Sequence, residues 1–291
     1  MSAIALLTLT AAGLFAGILA GFLGIGGGTV LVPILVSLQY APVQAVATSS
    51  LSIVITALSG TVQNWRMGYL KLNQVLGIGL PAILTAQLGA ELATRFAPSW
   101  LLIAFGCLLL LNIYLMQIRK QVTRKKEQEE AQLELTDSSD DPMSDRTVDP
   151  STGNDEVAEK SPTYLYLSRI FTGSLAGLLA GLFGVGGGII MVPLQIILLN
   201  TKIKPAIQTS LGVIVITAIS STTGHARLGN VLWLPGFILG FGGLIGAQIS
   251  TRFLPKLPDK IVTFAFRTLL VILAIYIFGQ AWQQYSAATG G

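Results

Sequence analysis

Residues Gly21–Pro33 read "GFLGIGGGTVLVP", and residues Gly181–Pro193 read "GLFGVGGGIIMVP". Five of the eight residues from Gly21 to Gly28 are glycine. That is a poor composition for a helix interior, because glycine gives up the most conformational freedom on folding. Both flanks are nevertheless strongly apolar. A chain that interrupts its most hydrophobic stretch at the centre, and repeats the interruption 160 residues later, needs a solvent in which the break is useful.

Composition names that solvent. Of 291 residues, 52% are hydrophobic and 11% charged, with a mean hydropathy of +0.69, against about 25% charged residues in soluble domains. The charge is segregated. Only Glu91 and Asp259 of the fourteen acidic residues lie outside Glu127–Glu159. The net charge of +4 does not imply a nucleic-acid partner, because the Lys and Arg sit at the ends of apolar segments, where they set membrane orientation. Cys107 is the sole cysteine and lies in an apolar run, which excludes a disulfide framework and a cysteine-based metal site. The N-terminal "MSAIALLTLTAAGLFAGILAG" lacks a basic leader and runs into the glycine motif, so it is expected to be a retained spanning helix.

The glycine motif belongs to a duplicated unit. Residues 12–33 and 172–193 are identical at twelve of twenty-two positions. Val54–Gly68 (VITALSGTVQNWRMG) matches Val215–Gly229 (VITAISSTTGHARLG), and Leu88–Pro98 matches Ile245–Pro255, in the same order. Between the copies, Arg124–Pro162 is rich in acid, Ser and Pro and cannot bury enough surface to fold. The expected organisation is a first transmembrane repeat over 1–118, a charged, disordered cytoplasmic linker over 119–163, and a second transmembrane repeat over 164–291.

About 20 apolar residues cross a bilayer, and each copy offers four such stretches. In the first they are 3–24, 45–62, 71–93 and 99–118; in the second, 165–184, 206–223, 231–251 and 261–280. A shorter run follows each glycine cluster, at Thr29–Leu38 and 189–199, long enough to reach about halfway at ~1.5 Å per residue. Counting the short piece as a pass gives an odd number per copy, and the copies are then inverted. Arg66, Lys71, Lys202, Lys204, Arg252, Lys256 and Lys260 join the linker inside, leaving Arg95 and Arg227 outside. An even number puts six basic residues outside, so the positive-inside rule favours inversion, with both termini external. The expected fold is an all-α polytopic membrane protein of two inverted-topology repeats with discontinuous half-helices at the glycine-rich breaks.

Inverted repeats with interrupted helices point to a secondary transporter with its site near the membrane midplane. Gly26, Gly27, Gly28 and Gly186, Gly187, Gly188 each open a short helix whose free amides and dipole attract an anion. Gly13, Gly17, Gly21, Gly173, Gly177 and Gly181, at four-residue spacing, are expected to serve close helix packing. A dinucleotide fingerprint is excluded: no strand–turn–helix unit surrounds "GIGGG", and the acidic partner about 20 residues on is missing. After the short helix, Thr48, Ser52, Thr56, Ser59 and Gln63 form one helical stripe, matched by Thr209, Thr217 and Ser220. Such stripes also bond between helices, so the pairs opening them, Thr48–Ser49 and Thr209–Ser210, are the stronger substrate-binding candidates. Asn64 and His225 are counterparts, and His225, the only histidine, is a candidate proton carrier. Glu91 is expected to bond Arg95 one turn on. Arg267 either snorkels to the surface or faces the pathway. With so few carboxylates in the apolar blocks, an anion or neutral solute fits better than a cation.

The tandem "GxxxGxxGxGGGxxxVP" (Gly17–Pro33, Gly177–Pro193), the "TS" pairs, and "GxxxNxRxG" over Gly60–Gly68 resemble the TauE/SafE sulfite exporter family. The second copy, "GxxxHxRxG" counted from Ser221 to Gly229, shares the resemblance and departs from it only in opening with Ser221. The resemblance covers both apolar blocks. It implies a bacterial plasma-membrane permease for small sulfur-containing anions such as sulfite, sulfonates or sulfoacetate, with the glycine triplets and TS pairs on the pathway. Uphill transport requires coupling, for which protons are the expected partner. A passive anion channel, or a permease for a different organic anion, are the alternatives. An enzyme would need a convergent nucleophile or metal set, and one His far from one Cys gives none; no cofactor is called for.

Overall fold

The computed structural model describes residues 3–111, 113–114 and 162–289. The expected linker falls outside them except for its last two residues, which open a helix. Ten α-helices are described: α1 (Ala3–Leu23), α2 (Gly28–Ser37), α3 (Pro42–Arg66), α4 (Leu72–Arg95), α5 (Pro98–Leu111), α6 (Pro162–Phe183), α7 (Gly188–Leu198), α8 (Ile203–Arg227), α9 (Trp233–Phe253) and α10 (Asp259–Thr289). A 3₁₀ turn, Leu254–Lys256, joins the last two. No strand occurs among the described residues. Seven helices are long and apolar enough to cross a membrane. The two short helices sit where the sequence places them, each starting one residue earlier. α3 begins three residues before its apolar run because Pro42, at the first helical position, has its φ preset for helix and needs no amide partner.

α3 and α8 form the centre, with 72% of their spanning windows buried, against 39% for α1, α4 and α6. The outer helices turn apolar side chains such as Ile4, Leu84 and Phe241 outward, and the indoles of Trp65, Trp100 and Trp233 are exposed at helix ends, the usual position for aromatic anchors.

The six spaced glycines explain how the halves interlock. A β-carbon on Gly13 would fall on the carbonyl of Leu239, one on Gly17 on that of Gly243, and one on Gly21 on the Ser250 hydroxyl. In the other half Gly173, Gly177 and Gly181 meet the carbonyls of Ile78, Ala82 and Ala86 in the same way. The first helix of each half thus lies parallel and backbone-to-backbone against the fourth helix of the other, α1 on α9 and α6 on α4. Small residues permit this approach, and the dispersion contacts it allows are the main attraction between helices in lipid.

At the centre, Ser50 Oγ lies 3.0 Å from Ser221 Oγ, and the β-position of Gly60 lies 3.2 Å from Leu211. The residue numbers rise on one helix as they fall on the other, so α3 and α8 pack antiparallel. Cross-links fix which ends coincide. Lys204 Nζ donates to the Pro255 carbonyl at 3.1 Å, tying the start of α8 to the end of α9; Arg227 donates to Gln87 Oε1 at 3.2 Å, tying the end of α8 to the end of α4. Arg66, Lys71, Lys202, Lys204, Arg252, Lys256 and Lys260 therefore gather at one end, with Arg169 on the same side, while Arg95 and Arg227 mark the other.

Candidate functional site

The glycine motif is resolved residue by residue. Gly24 donates its amide to Ala20 O at 2.8 Å and turns to φ +67°, closing α1 as a left-handed C-terminal cap. Gly27, at φ +80°, is the N-cap of α2, and its carbonyl accepts from Leu31 N at 3.1 Å. Gly184 and Gly187 repeat both roles for α6 and α7, at φ +63° and +76°. An L-residue in that region loses about 1–2 kcal/mol, so these positions are restricted to glycine by backbone geometry. Gly28 and Gly188 are helical and serve a different need. A β-carbon on Gly28 would fall on the carbonyl oxygen of Gly184, and one on Gly188 on that of Gly24. Each short helix begins against the break of the other half, so the two breaks meet at one crossing.

All residues from Gly24 to Gly28 and from Gly184 to Gly188 are buried, as irregular backbone at membrane depth must be. The carbonyls freed by the breaks are taken up by hydroxyls from across the crossing. Ser49 Oγ donates to Gly184 O, and its counterpart Ser210 Oγ donates to Gly24 O at 2.7 Å. Within the second half, Thr217 Oγ1 donates to Gly186 O at 2.9 Å. The first turns of α2 and α7 have no side-chain cap. The crossing thus pairs satisfied carbonyls with two uncapped helix N-termini, an arrangement that favours negative charge.

The sequence-derived site residues divide between places. The glycine triplets, Ser49 and Ser210 converge at the crossing. Thr48 and Thr209 point to neighbouring helices instead: Thr48 Oγ1 accepts from Leu232 N at 3.2 Å, and Thr209 Oγ1 donates to Gln74 Oε1 at 3.4 Å. Asn64 and His225 lie near the far ends of α3 and α8, fifteen residues from Ser49 and Ser210, or about 22 Å along a helix. Both are fully buried. His225 Nε2 donates to Gly181 O at 2.9 Å, while His225 Nδ1 and both polar atoms of Asn64 have no partner. Much of the hydroxyl stripe bonds between helices, Ser59 to Leu244 O at 2.9 Å and Ser220 to Ile83 O at 2.6 Å. Glu91 pairs with Arg95 at 2.6 Å on the surface, and Arg267 is exposed on α10. Thr29 Oγ1 and Ser52 Oγ, both buried, also lack partners. Thr29 drew no attention in sequence because its counterpart is Ile189. No group of three metal-ligating side chains occurs among the described residues. A crevice between Val32, Val46, Leu102 and Phe183 is lined by apolar side chains.

The family model of the sulfite exporter TauE/SafE matches residues 9–277. The chain belongs to the TauE/SafE family. Among similar proteins, the probable membrane transporter protein YunE of Bacillus subtilis is 27% identical over 90% of this chain and 93% of its own. YdhB, of the same organism and description, is 26% identical over 86% of this chain and 90% of its own. A probable membrane transporter protein of Haemophilus influenzae reaches 38% identity, over 36% of this chain and 42% of its own. No solved structure matches. This TauE/SafE protein, whose described residues form helices and no strands, is therefore a multi-pass membrane transporter and not an enzyme.

Proposed function

We propose that the protein is a secondary transporter for small sulfur-containing anions, such as sulfite, sulfonates or sulfoacetate, working by alternating access in a plasma membrane. The observation that carries this reading is the meeting of two uncapped short-helix N-termini at one buried crossing. Bare amides and aligned dipoles attract a small anion, and glycine lets it approach the backbone. The family description, sulfite exporter, supports sulfur oxyanions as the class.

The antiparallel contact of the equivalent helices α3 and α8 supports inverted repeats, since a two-fold axis in the membrane plane reverses equivalent helices. Alternating access is then the rocking of one interlocked half against the other. By the positive-inside rule the end carrying Arg66, Lys204 and Lys256 faces the cytoplasm, as does the linker, and the termini are external. Uphill transport needs a coupled ion. His225, buried with Nδ1 unpartnered, supports protons as that ion.

The test is flux in proteoliposomes. Loaded with sulfite, thiosulfate, a sulfonate or acetate, vesicles with protein should release sulfur anions faster than empty ones, and a pH gradient should drive accumulation. Absence of flux for every sulfur oxyanion rejects the substrate class; flux indifferent to the gradient rejects proton coupling and favours a passive channel.

A further inference from the structure

The crossing that brings the uncapped N-termini together is filled by two side chains that anion attraction does not use. Ile53 on α3 and Ile214 on α8 are equivalents, each preceding the repeated Val-Ile-Thr-Ala of Val54–Ala57 and Val215–Ala218. Both are fully buried, and with Ala57 and Ala218 they form an apolar cluster separate from the main core. Each reaches both breaks. A β-carbon on Gly26 would stand 3.1 Å from Ile214 Cγ2 and 3.2 Å from Ile53 Cγ2; on Gly186, 2.9 and 3.3 Å. Their outer methyls go farther, Ile53 Cδ1 to 2.5 Å from the β-position of Gly28 and Ile214 Cδ1 to 2.6 Å from that of Gly188. Glycine at these four positions makes room for the isoleucines.

The surroundings are otherwise polar. The Ser49–Gly184 bond and the Ser50–Ser221 pair lie on the side of the crossing toward the start of α3. The Ser210–Gly24 bond lies toward the start of α8. The hydroxyl of Ser52, next to Ile53, is buried without a partner. Hydroxyl groups on the two sides of the crossing are thus separated by one apolar layer, built from the same residue in each half.

We propose that Ile53 and Ile214 are the paired constriction residues of the permeation path. Resting on the transport reading above, the inference names the side chains that keep the path dry when the crossing is shut and that must part for a substrate to pass. An apolar constriction of this kind excludes ions by dewetting, because a charge stripped of water is strongly disfavoured beside hydrocarbon. The uncapped N-termini offer attraction only after the isoleucines separate, so the pair selects for solutes that bind tightly enough to part them.

The experiment compares wild type with Ile53→Ser/Ile214→Ser and Ile53→Val/Ile214→Val, in planar bilayers in potassium chloride and in sulfite-loaded proteoliposomes. Wild type should be electrically silent. The serine pair, which wets the layer, should raise chloride conductance roughly tenfold or more above that baseline. The valine pair removes only the two Cδ1 methyls and should give a smaller but measurable leak. If the serine pair does not fold, the valine pair decides. Variants as silent as wild type overturn the proposal, and so does a leak that appears only in protein that has lost its cooperative melting. If the variants conduct while wild type moves no sulfite, the constriction stands and the substrate class falls. If wild type moves sulfite and neither variant leaks, the constriction falls and transport stands.

Discussion

Three alanine substitutions separate the reasons for glycine at the breaks. Gly229 has φ +72° with nothing within 4 Å of its β-position, so Gly229→Ala incurs only backbone strain, about 1–2 kcal/mol. Gly188 has helical backbone, but its β-carbon would overlap the Gly24 carbonyl and stand 2.6 Å from Ile214 Cδ1. Gly188→Ala therefore incurs overpacking alone, about 1–3 kcal/mol. Gly187 combines both, with φ +76° and a β-position on the Ala176 carbonyl, 2.8 Å from its carbon. Summing the two ranges gives about 2–5 kcal/mol for Gly187→Ala. At about 2–4 °C per kcal/mol for a chain of this size, it should melt about 10 °C below wild type in detergent, and Gly229→Ala about 5 °C below. Equal losses at Gly187 and Gly229 would mean that Ala176 yields freely to an added methyl, and would refute the tight packing of this break against α6.

Other substitutions test single contacts. Ser210→Ala strands the buried Gly24 carbonyl and should lower stability by about 1–3 kcal/mol, whereas Ser210→Thr, which keeps the hydroxyl, should lose less in the same melt. His225→Gln preserves a donor for Gly181 O and removes the titratable ring; sulfite counterflow should persist while acceleration by a pH gradient disappears, and an unchanged gradient response would move proton coupling elsewhere. Glu91→Gln breaks an ion pair whose side chains are 55% and 74% exposed, so stability should change by less than about 1 kcal/mol and sulfite flux should match wild type.

The sequence made the spans, the breaks and the short helices legible because each rests on local chemistry: apolar length, adjacent glycines, polar punctuation. It did not reveal which helix meets which. The stripe Gly13–Gly17–Gly21 announces a close neighbour, yet nothing in it says that the neighbour is α9 from the other half instead of an adjacent helix. The Thr-Ser pairs looked like site residues, and the same dipeptide suits either a ligand or a backbone carbonyl; Ser49 and Ser210 bond carbonyls across the crossing, while Thr48 and Thr209 turn away to Leu232 and Gln74. Ile53 and Ile214 were invisible because isoleucine in an apolar helix carries no signal of its own. Their placement between two glycine breaks emerges only when distant segments are brought together.

The central claim, that the paired helix openings hold an anion, is tested most directly by ligand-dependent melting of the intact protein. Sulfite present at about 100-fold over its dissociation constant should add about 2.7 kcal/mol of stability. Neutral dimethyl sulfone at the same concentration should add none, and Gly188→Ala should lose the sulfite response. An equal response to the neutral sulfone, or no response to any sulfur oxyanion, would mean that the glycine breaks serve packing alone.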